Sequence, residues 1–88
     1  MYVVVIGAGE VGFHIASILA QEGHEVALID RDPESIRRAG EELDVLTILG
    51  NGASKRVLQQ ARVSEANILV AATDSDEVNM IALSLIHI

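Results

Sequence analysis

At 88 residues the chain is the size of one small domain, and such a domain buries only about 60–65% of the surface its unfolded form exposes. Half of the residues are hydrophobic and the mean hydropathy is +0.38, yet the formal net charge is −7 and the sequence pI about 4.7, which argues against nucleic acid as a partner because no basic patch is available. With no cysteine there is neither a disulfide framework nor a thiolate metal site.

The longest apolar runs fall short of the roughly 18 residues a membrane span needs. Met1 leads directly into the first predicted strand without a basic n-region. A cytosolic protein with no direct membrane insertion is therefore expected.

In chain order, Val3-Val4-Val5-Ile6 is an unbroken β-branched run of the kind buried in a parallel sheet. The turn Gly7-Ala8-Gly9-Glu10-Val11-Gly12 follows, and then a helix in which Val11, Ile15, Ile18 and Leu19 recur as one apolar stripe. Gly23 ends that helix, and Val26-Ala27-Leu28-Ile29 forms a second strand that stops on Asp30. Asp32-Pro33-Glu34 reads as a helix start, with Asp32 as cap and Pro33 in the first helical position, and the helix runs to about Glu42.

Residues 45–49 make a third strand closed by Gly50-Asn51-Gly52, and a short helix starts near Ser54 and carries Val57, Leu58 and Ala61. Residues 68–72 make a fourth strand. Thr73-Asp74-Ser75-Asp76-Glu77 then opens a helix containing Val78, Met80, Ile81, Leu83, Leu85 and Ile86. The alternation predicts an α/β fold, a Rossmann-like doubly wound parallel sheet with right-handed crossovers, four helices and strands in the order 3-2-1-4. No repeat, low-complexity tract or domain linker interrupts it.

In such a sheet a ligand sits beyond the carboxyl ends of the strands, so the four strand-to-helix loops face one site. Gly7 turns the chain sharply, Gly9 lets the backbone come within contact distance of a pyrophosphate, and Gly12 lets the helix lie close on the strand. The helix N-terminus supplies free N–H groups and the positive dipole end. Asp30, about 20 residues past the glycines, is placed to accept hydrogen bonds from the adenosine ribose hydroxyls. Its carboxylate would repel a 2′-phosphate, so NAD(H) is expected over NADP(H).

The other loop residues each carry two readings. Asn51-Gly52 touches the adenine edge or is an ordinary turn. Thr73 contacts a phosphate or the second ribose, or it caps the fourth helix beside an Asp74–Glu77 capping box. Arg31 stacks on adenine or is a solvated loop arginine. Asp74, Asp76 and Glu77 are better read as a charged helix start than as a metal site, and His14, His24 and His87 have no ligand partner at a sensible spacing. No catalytic set emerges: His14 and Ser17 lack an acid, and the only lysine, Lys55, is far in sequence from the only tyrosine, Tyr2.

From the glycine turn through Ala82 the chain resembles the N-terminal nucleotide-binding module of the TrkA-type RCK or KTN family, which includes the peripheral cytosolic subunit of Trk-type bacterial potassium uptake systems. The resemblance is carried by GAGEVGFHIA, IDRDPE, LGNGASKRVL and above all ILVAATDSDEVNMIA, because Rossmann dehydrogenases do not typically follow the fourth strand with A-T-x-S-D-E-x-N. It implies a regulatory NAD(H)-binding module rather than an enzyme, with ATP or ADP taken in the same cleft by some relatives. Ligand state would be coupled to the gate of a membrane potassium transporter.

Matched motif to motif, it implies pyrophosphate contacts at Gly7, Ala8, Gly9, Glu10 and Val11, a ribose on Asp30, and further contacts on Thr73 and Asp74. It further implies a homo-oligomer at full length, cytoplasmic and peripheral to the inner membrane face. The alternative is the cofactor domain of an NAD-dependent oxidoreductase, which would need a substrate domain beyond this chain.

Arg62-Val63 departs from the family pattern, standing where a glycine is common and so removing an easy left-handed helix end. Residues 1–88 are expected to be only the N-terminal part of such a domain, since fifth and sixth strands are missing, residues 68–72 are left as a hydrophobic edge, and the fourth helix runs into His87-Ile88 without a capping glycine. Residues 83–88, LSLIHI, also coincide with what one frame of a common transposon-based sequencing adapter encodes. The natural sequence is expected to diverge near Leu83.

Overall fold

A computed structural model describes residues 1–85 and shows the alternation that the sequence predicts. The elements are β1 (Tyr2–Ile6), α1 (Glu10–Gln21), β2 (Glu25–Asp30), α2 (Pro33–Glu42), β3 (Leu46–Leu49), α3 (Lys55–Gln60), β4 (Ile68–Ala71) and α4 (Asp76–Leu85). The expected helix residue Ile86 and the closing His87-Ile88 lie outside the described residues. One short element had no signal in the sequence, a 3₁₀ turn over Val63–Glu65.

The β-branched run becomes β1, the central strand of a four-stranded sheet in the order β3-β2-β1-β4. Every pairing is parallel: Val3 stands opposite Val26 on one side and Ile68 on the other. Side chains alternate across the sheet. Val3, Val5, Val26 and Leu28 pack beneath α1 and α2 with Ala16 and Ala39, while Val4, Ile6, Ala27 and Ile29 pack beneath α3 and α4 with Val57, Leu58, Ala61 and Ala82. With both faces covered, Val3 to Ile6 in β1 and Val26 to Ile29 in β2 can be hydrophobic at every position, and each fully buried Val, Leu or Ile contributes about 1.5–3 kcal/mol. Among the described residues the outer edges of β3 and β4 are unpaired, and Leu46, Leu49 and Ile68 are exposed there.

Local chemistry sets the start of α2 and the end of α1. Asp32 caps α2 by accepting from the Glu34 N–H at 3.3 Å, with Pro33 following, as expected. After α1, Gly23 takes a left-handed φ of 89°, and the N–H groups of Gly23 and His24 return to the carbonyls of Ala20 and Leu19 at 3.1 Å each. That pair of bonds is the Schellman arrangement. On α2, Arg37 bridges Glu34 and Glu41, and the Arg38 guanidinium lies 4.0 Å from the Phe13 ring centroid, tying α2 to α1.

The expected stripe on α1 is corrected. Ile15 and Leu19 face the sheet, but Val11 and Ile18 are 64% and 43% exposed, and the residues fully beneath the helix are Gly12 and Ala16. Close approach of the helix backbone, not bulk, decides which face turns inward. The cap of α4 is also corrected: Ser75, not Thr73 or Asp74, accepts the Val78 N–H at 3.1 Å. Along the fourth helix, among the residues whose burial is described, Ala82 is buried while Met80, Ile81 and Leu83 are exposed.

Arg62, expected to remove an easy left-handed helix end, takes the left-handed conformation itself, at φ 53° and ψ 47°. Its side chain gives a partial return, lying 5.0 Å from the Tyr2 ring centroid. Arg62→Ala should therefore lose the aromatic contact and keep the backbone strain, whereas Arg62→Gly loses the contact but relieves the strain. Urea denaturation is expected to find the glycine variant about 1 kcal/mol more stable than the alanine variant. Equal midpoints would show that the backbone at Arg62 is unstrained.

Candidate nucleotide site

Beyond the carboxyl ends of the strands the loops enclose a cleft of about 290 Å³. Its wall includes Gly7, Gly9, Asp30, Arg31, Asn51, Thr73 and Asp74 among the residues expected from the sequence. Ala8, Glu10, Val11 and Gly12 do not line it. Ala8 and Gly12 are buried behind the turn, and Glu10 and Val11 are exposed at the start of α1.

The glycine turn is held from both sides. Gly7 has φ 108°, and a Cβ there would lie 2.6 Å from the Ala72 carbonyl oxygen. Its N–H donates to Ile29 O at 2.7 Å, and the Ala72 N–H donates to Ile6 O at 2.8 Å, so β2 and β4 both brace the turn. A Cβ on Gly12 would fall 1.7 Å from Gly7 O, so α1 rests directly on the turn. Gly9 differs: nothing lies within 4 Å of where its Cβ would point. It is also the N-cap of α1 and provides no side-chain hydrogen bond, which leaves the first-turn amides of the helix for another acceptor.

Asp30 ends β2 half-buried, and its carboxylate is fixed by backbone. Oδ2 accepts from the Ala8 N–H at 2.6 Å and Oδ1 from the Asp32 N–H at 2.8 Å. An ionised carboxylate has about four lone-pair sites, so each oxygen keeps one for a ligand donor. The Ala8 N–H is thus spent on positioning Asp30 within the turn.

Asp32 and Ser35 line the same rim and were not singled out as site residues from the sequence. The Ser35 hydroxyl donates to Asp32 Oδ2 at 2.8 Å, and that bond, followed by the one from the Glu34 amide, holds the Asp32 carboxyl below its usual range. The signal was legible as a D-x-x-S helix start two residues past the strand-ending acid. Ile6, Ile29 and Val78 form apolar parts of the wall that only the register of the sheet reveals.

Across the cleft, Thr73 is half-buried in a small network. Its Oγ1 lies 2.6 Å from Asn79 Oδ1 and 2.9 Å from Ser75 O, and it accepts the Ser75 N–H at 3.2 Å. Asn51 forms a side-chain turn, Oδ1 accepting the Ala53 N–H at 2.9 Å, and so satisfies the ordinary-turn reading while still standing on the wall. Arg31 lines the rim with no ion-pair partner among the described residues. The described residues contain no group of His, Cys, Asp or Glu able to hold a metal ion. No helix among them is long and apolar enough to cross a membrane.

A parallel doubly wound sheet with a glycine turn, an uncapped helix N-terminus and a strand-ending carboxylate around one cleft defines a Rossmann-type domain of the nucleotide-binding class. Residues 3–88 match the TrkA-N domain, and the chain belongs to that family. Among curated relatives it is 42% identical over 87 residues to a Trk system potassium uptake protein TrkA homolog of Methanothermobacter thermautotrophicus, covering 99% of this chain and 40% of that protein. It is 50% identical over 82 residues to homolog 1 of Methanosarcina mazei, covering 93% of this chain and 20% of that protein. Identity to the TrkA protein of Azorhizobium caulinodans is 44%, covering 99% of this chain and 19% of that one.

The chain thus spans from about a fifth to two fifths of the length of these relatives. The fold is also that of a solved structure, the Kef C-terminal domain of Shewanella denitrificans in its AMP-bound form, at a TM-score of 0.85 and 24% identity, covering 99% of this chain and 52% of that one.

The second and third glycines of the turn, Gly9 and Gly12, should separate access from stability. Gly12→Ala forces α1 off the Gly7 carbonyl and is expected to cost at least about 3 kcal/mol. Gly9→Ala meets nothing and should stay within about 1 kcal/mol of the parent, the scale for changing a residue at a helix cap. Thermal or urea unfolding of both variants checks this. A stable Gly12→Ala protein would mean that the helix does not rest on the turn.

Proposed function

We propose that the cleft binds NAD(H), with the pyrophosphate over the glycine turn and the amide end of α1, the adenosine ribose on Asp30, and the second nucleoside on the β4 side. The observation that carries this reading is the Asp30 carboxylate, pinned by two backbone N–H groups and left with one accepting site on each oxygen. A pair of adjacent acceptors at the end of the second strand suits the paired hydroxyls of a ribose. Gly9, with open space at its Cβ position, suits the close approach of a phosphate.

The domain is, on this reading, a regulatory part of a potassium uptake system and not an enzyme. The support is family membership and the naming of its relatives as Trk system potassium uptake proteins. The full-length protein would assemble as a homo-oligomer on the cytoplasmic face of a membrane potassium transporter, where a ligand acts on a gate by binding its two conformations unequally. The oxidoreductase alternative has less support, since none of these relatives carries such a name. An adenine mononucleotide is the second reading for the ligand itself. Asp30 and the α1 amides would serve ATP, ADP or AMP equally well, and the structurally similar Kef domain is an AMP-bound form.

Calorimetry is expected to give NADH at least roughly tenfold tighter binding than NADPH, because a 2′-phosphate beside Asp30 places like charges at about 4 Å, on the order of 1–4 kcal/mol. Asp30→Ala should weaken NADH by ~1–3 kcal/mol, the scale for a lost hydrogen bond to a charged group. Equal affinities for NADH and NADPH would sink the assignment of the ribose to Asp30.

The partner is tested by co-purification of the full-length protein with a Trk-type transporter, with and without NADH. Capture that responds to nucleotide is expected. A monomer that ignores the transporter in both conditions counts against the regulatory role.

A further inference from the structure

The wall on the β4 side is held by a residue that does not itself line the cleft. Asn79, half-buried one turn into α4, meets Thr73 three times: Oδ1 accepts the Thr73 N–H at 3.1 Å, Oδ1 lies 2.6 Å from Thr73 Oγ1, and Nδ2 donates to Thr73 O at 3.1 Å. These partners fix the orientation of the amide, since the reversed group would aim its NH2 at the Thr73 N–H and its oxygen at a carbonyl. Ser75 completes the arrangement from the loop.

Counting protons then fixes what Thr73 can offer. Its hydroxyl has one proton, and both acceptors in reach, Asn79 Oδ1 and Ser75 O, belong to the protein. One of its two lone pairs takes the Ser75 N–H. One lone pair remains, so in this arrangement Thr73 turns its proton toward protein acceptors and offers a ligand an acceptor site. A phosphate oxygen, itself only an acceptor, would have to draw that proton away from Asn79 and Ser75, whereas a ligand hydroxyl can donate without disturbing them.

We infer that Asn79 is a positioning residue that holds Thr73 as an acceptor for a hydroxyl of the second nucleoside, so that the β4 side of the cleft distinguishes a dinucleotide from an adenine mononucleotide. The inference rests on the proposed NAD(H) reading and adds what that reading leaves open, the group Thr73 recognises. Of the two roles that the sequence leaves to Thr73 as a ligand contact, phosphate or ribose, the hydrogen bonds favour ribose. Asp30 and α1 lie on the other side of the Gly7 turn, so the adenosine half should not sense Asn79.

The test is calorimetric titration of the protein with NADH and, separately, with AMP, for the parent, Thr73→Val, Thr73→Ser, Asn79→Ala and the Thr73→Val/Asn79→Ala pair. Thr73→Val and Asn79→Ala are each expected to weaken NADH roughly tenfold, the scale of one uncharged hydrogen bond, and to leave AMP within about twofold. Thr73→Ser, which keeps the hydroxyl, should stay near the parent. The double variant should lose less than the product of the two single losses, because Asn79 acts through Thr73.

Loss of NADH and AMP binding in equal measure would make Asn79 a merely structural residue and overturn the inference. So would unchanged NADH binding in Thr73→Val, a variant that keeps the shape of the side chain. A parent protein that binds AMP but not NADH would instead overturn the dinucleotide reading on which the inference stands.

Discussion

The backbone of Gly12 lies on the carbonyl of Gly7 so closely that a Cβ would fall 1.7 Å from that oxygen, and the rest of the cleft is arranged around the contact. It sets the height and the roll of α1 over β1. Ala16, one turn on, extends the same small-residue face onto the sheet, while Val11 and Ile18 are turned outward. With the helix in that position its first-turn amides open beside Gly9, and Gly7 is gripped between Ile29 and Ala72. A bulkier residue on the inner face of α1 would fill space and lose the approach. The site therefore depends on absent side chains at its centre and on ordinary aliphatic packing further out.

The two sides of the cleft are held in different ways. On the β2 side the anchor is a carboxylate whose two oxygens take backbone N–H groups, one from the glycine turn and one from the start of α2. The bonds there are charge-assisted and short, and they join three consecutive elements at one point. On the β4 side the anchor is a neutral amide on α4 bonded to a loop threonine. Such bonds contribute less individually, and they act over the six residues that separate Thr73 from Asn79.

Much of this was legible in the sequence, because the strands that matter are unusually uniform. The β-branched run from Val3 to Ile6 and the run from Val26 to Ile29 read as buried parallel strands, and the order follows once the alternation and the glycine turn are assigned to a Rossmann-type sheet. Asp30 and the glycines were readable from spacing alone. What escaped had physical causes. The α1 stripe was read by hydrophobicity, but contact distance governs which face packs, and that is invisible in a hydropathy pattern. The sequence points to Thr73 or Asp74 as the α4 cap where Ser75 performs it, because T-D-S offers three adjacent capping residues whose propensities barely differ. The Val63–Glu65 turn follows from a left-handed residue at Arg62, a conformation that an arginine does not advertise. Asn79 stood in the motif that carried the family resemblance, yet its partner Thr73 lies six residues back across a loop, a pairing that no helical or strand periodicity suggests.

The acidic balance of the chain bears on how such a cleft can hold an anion at all. The formal net charge is −7, and the lining residues include three carboxylates, Asp30, Asp32 and Asp74, against the single guanidinium of Arg31. At long range this field opposes a phosphate-bearing ligand rather than drawing it in. Attraction to a phosphate would then have to come from the oriented amides of the turn and of α1, whose influence is confined to about the first turn of the helix. A site built on lysines would tolerate a shifted helix, because a flexible charge can follow its partner. A site built on amides cannot, since the donors move with the backbone. That is why the geometry at Gly12, rather than any charged side chain, is the constraint on which phosphate recognition would rest.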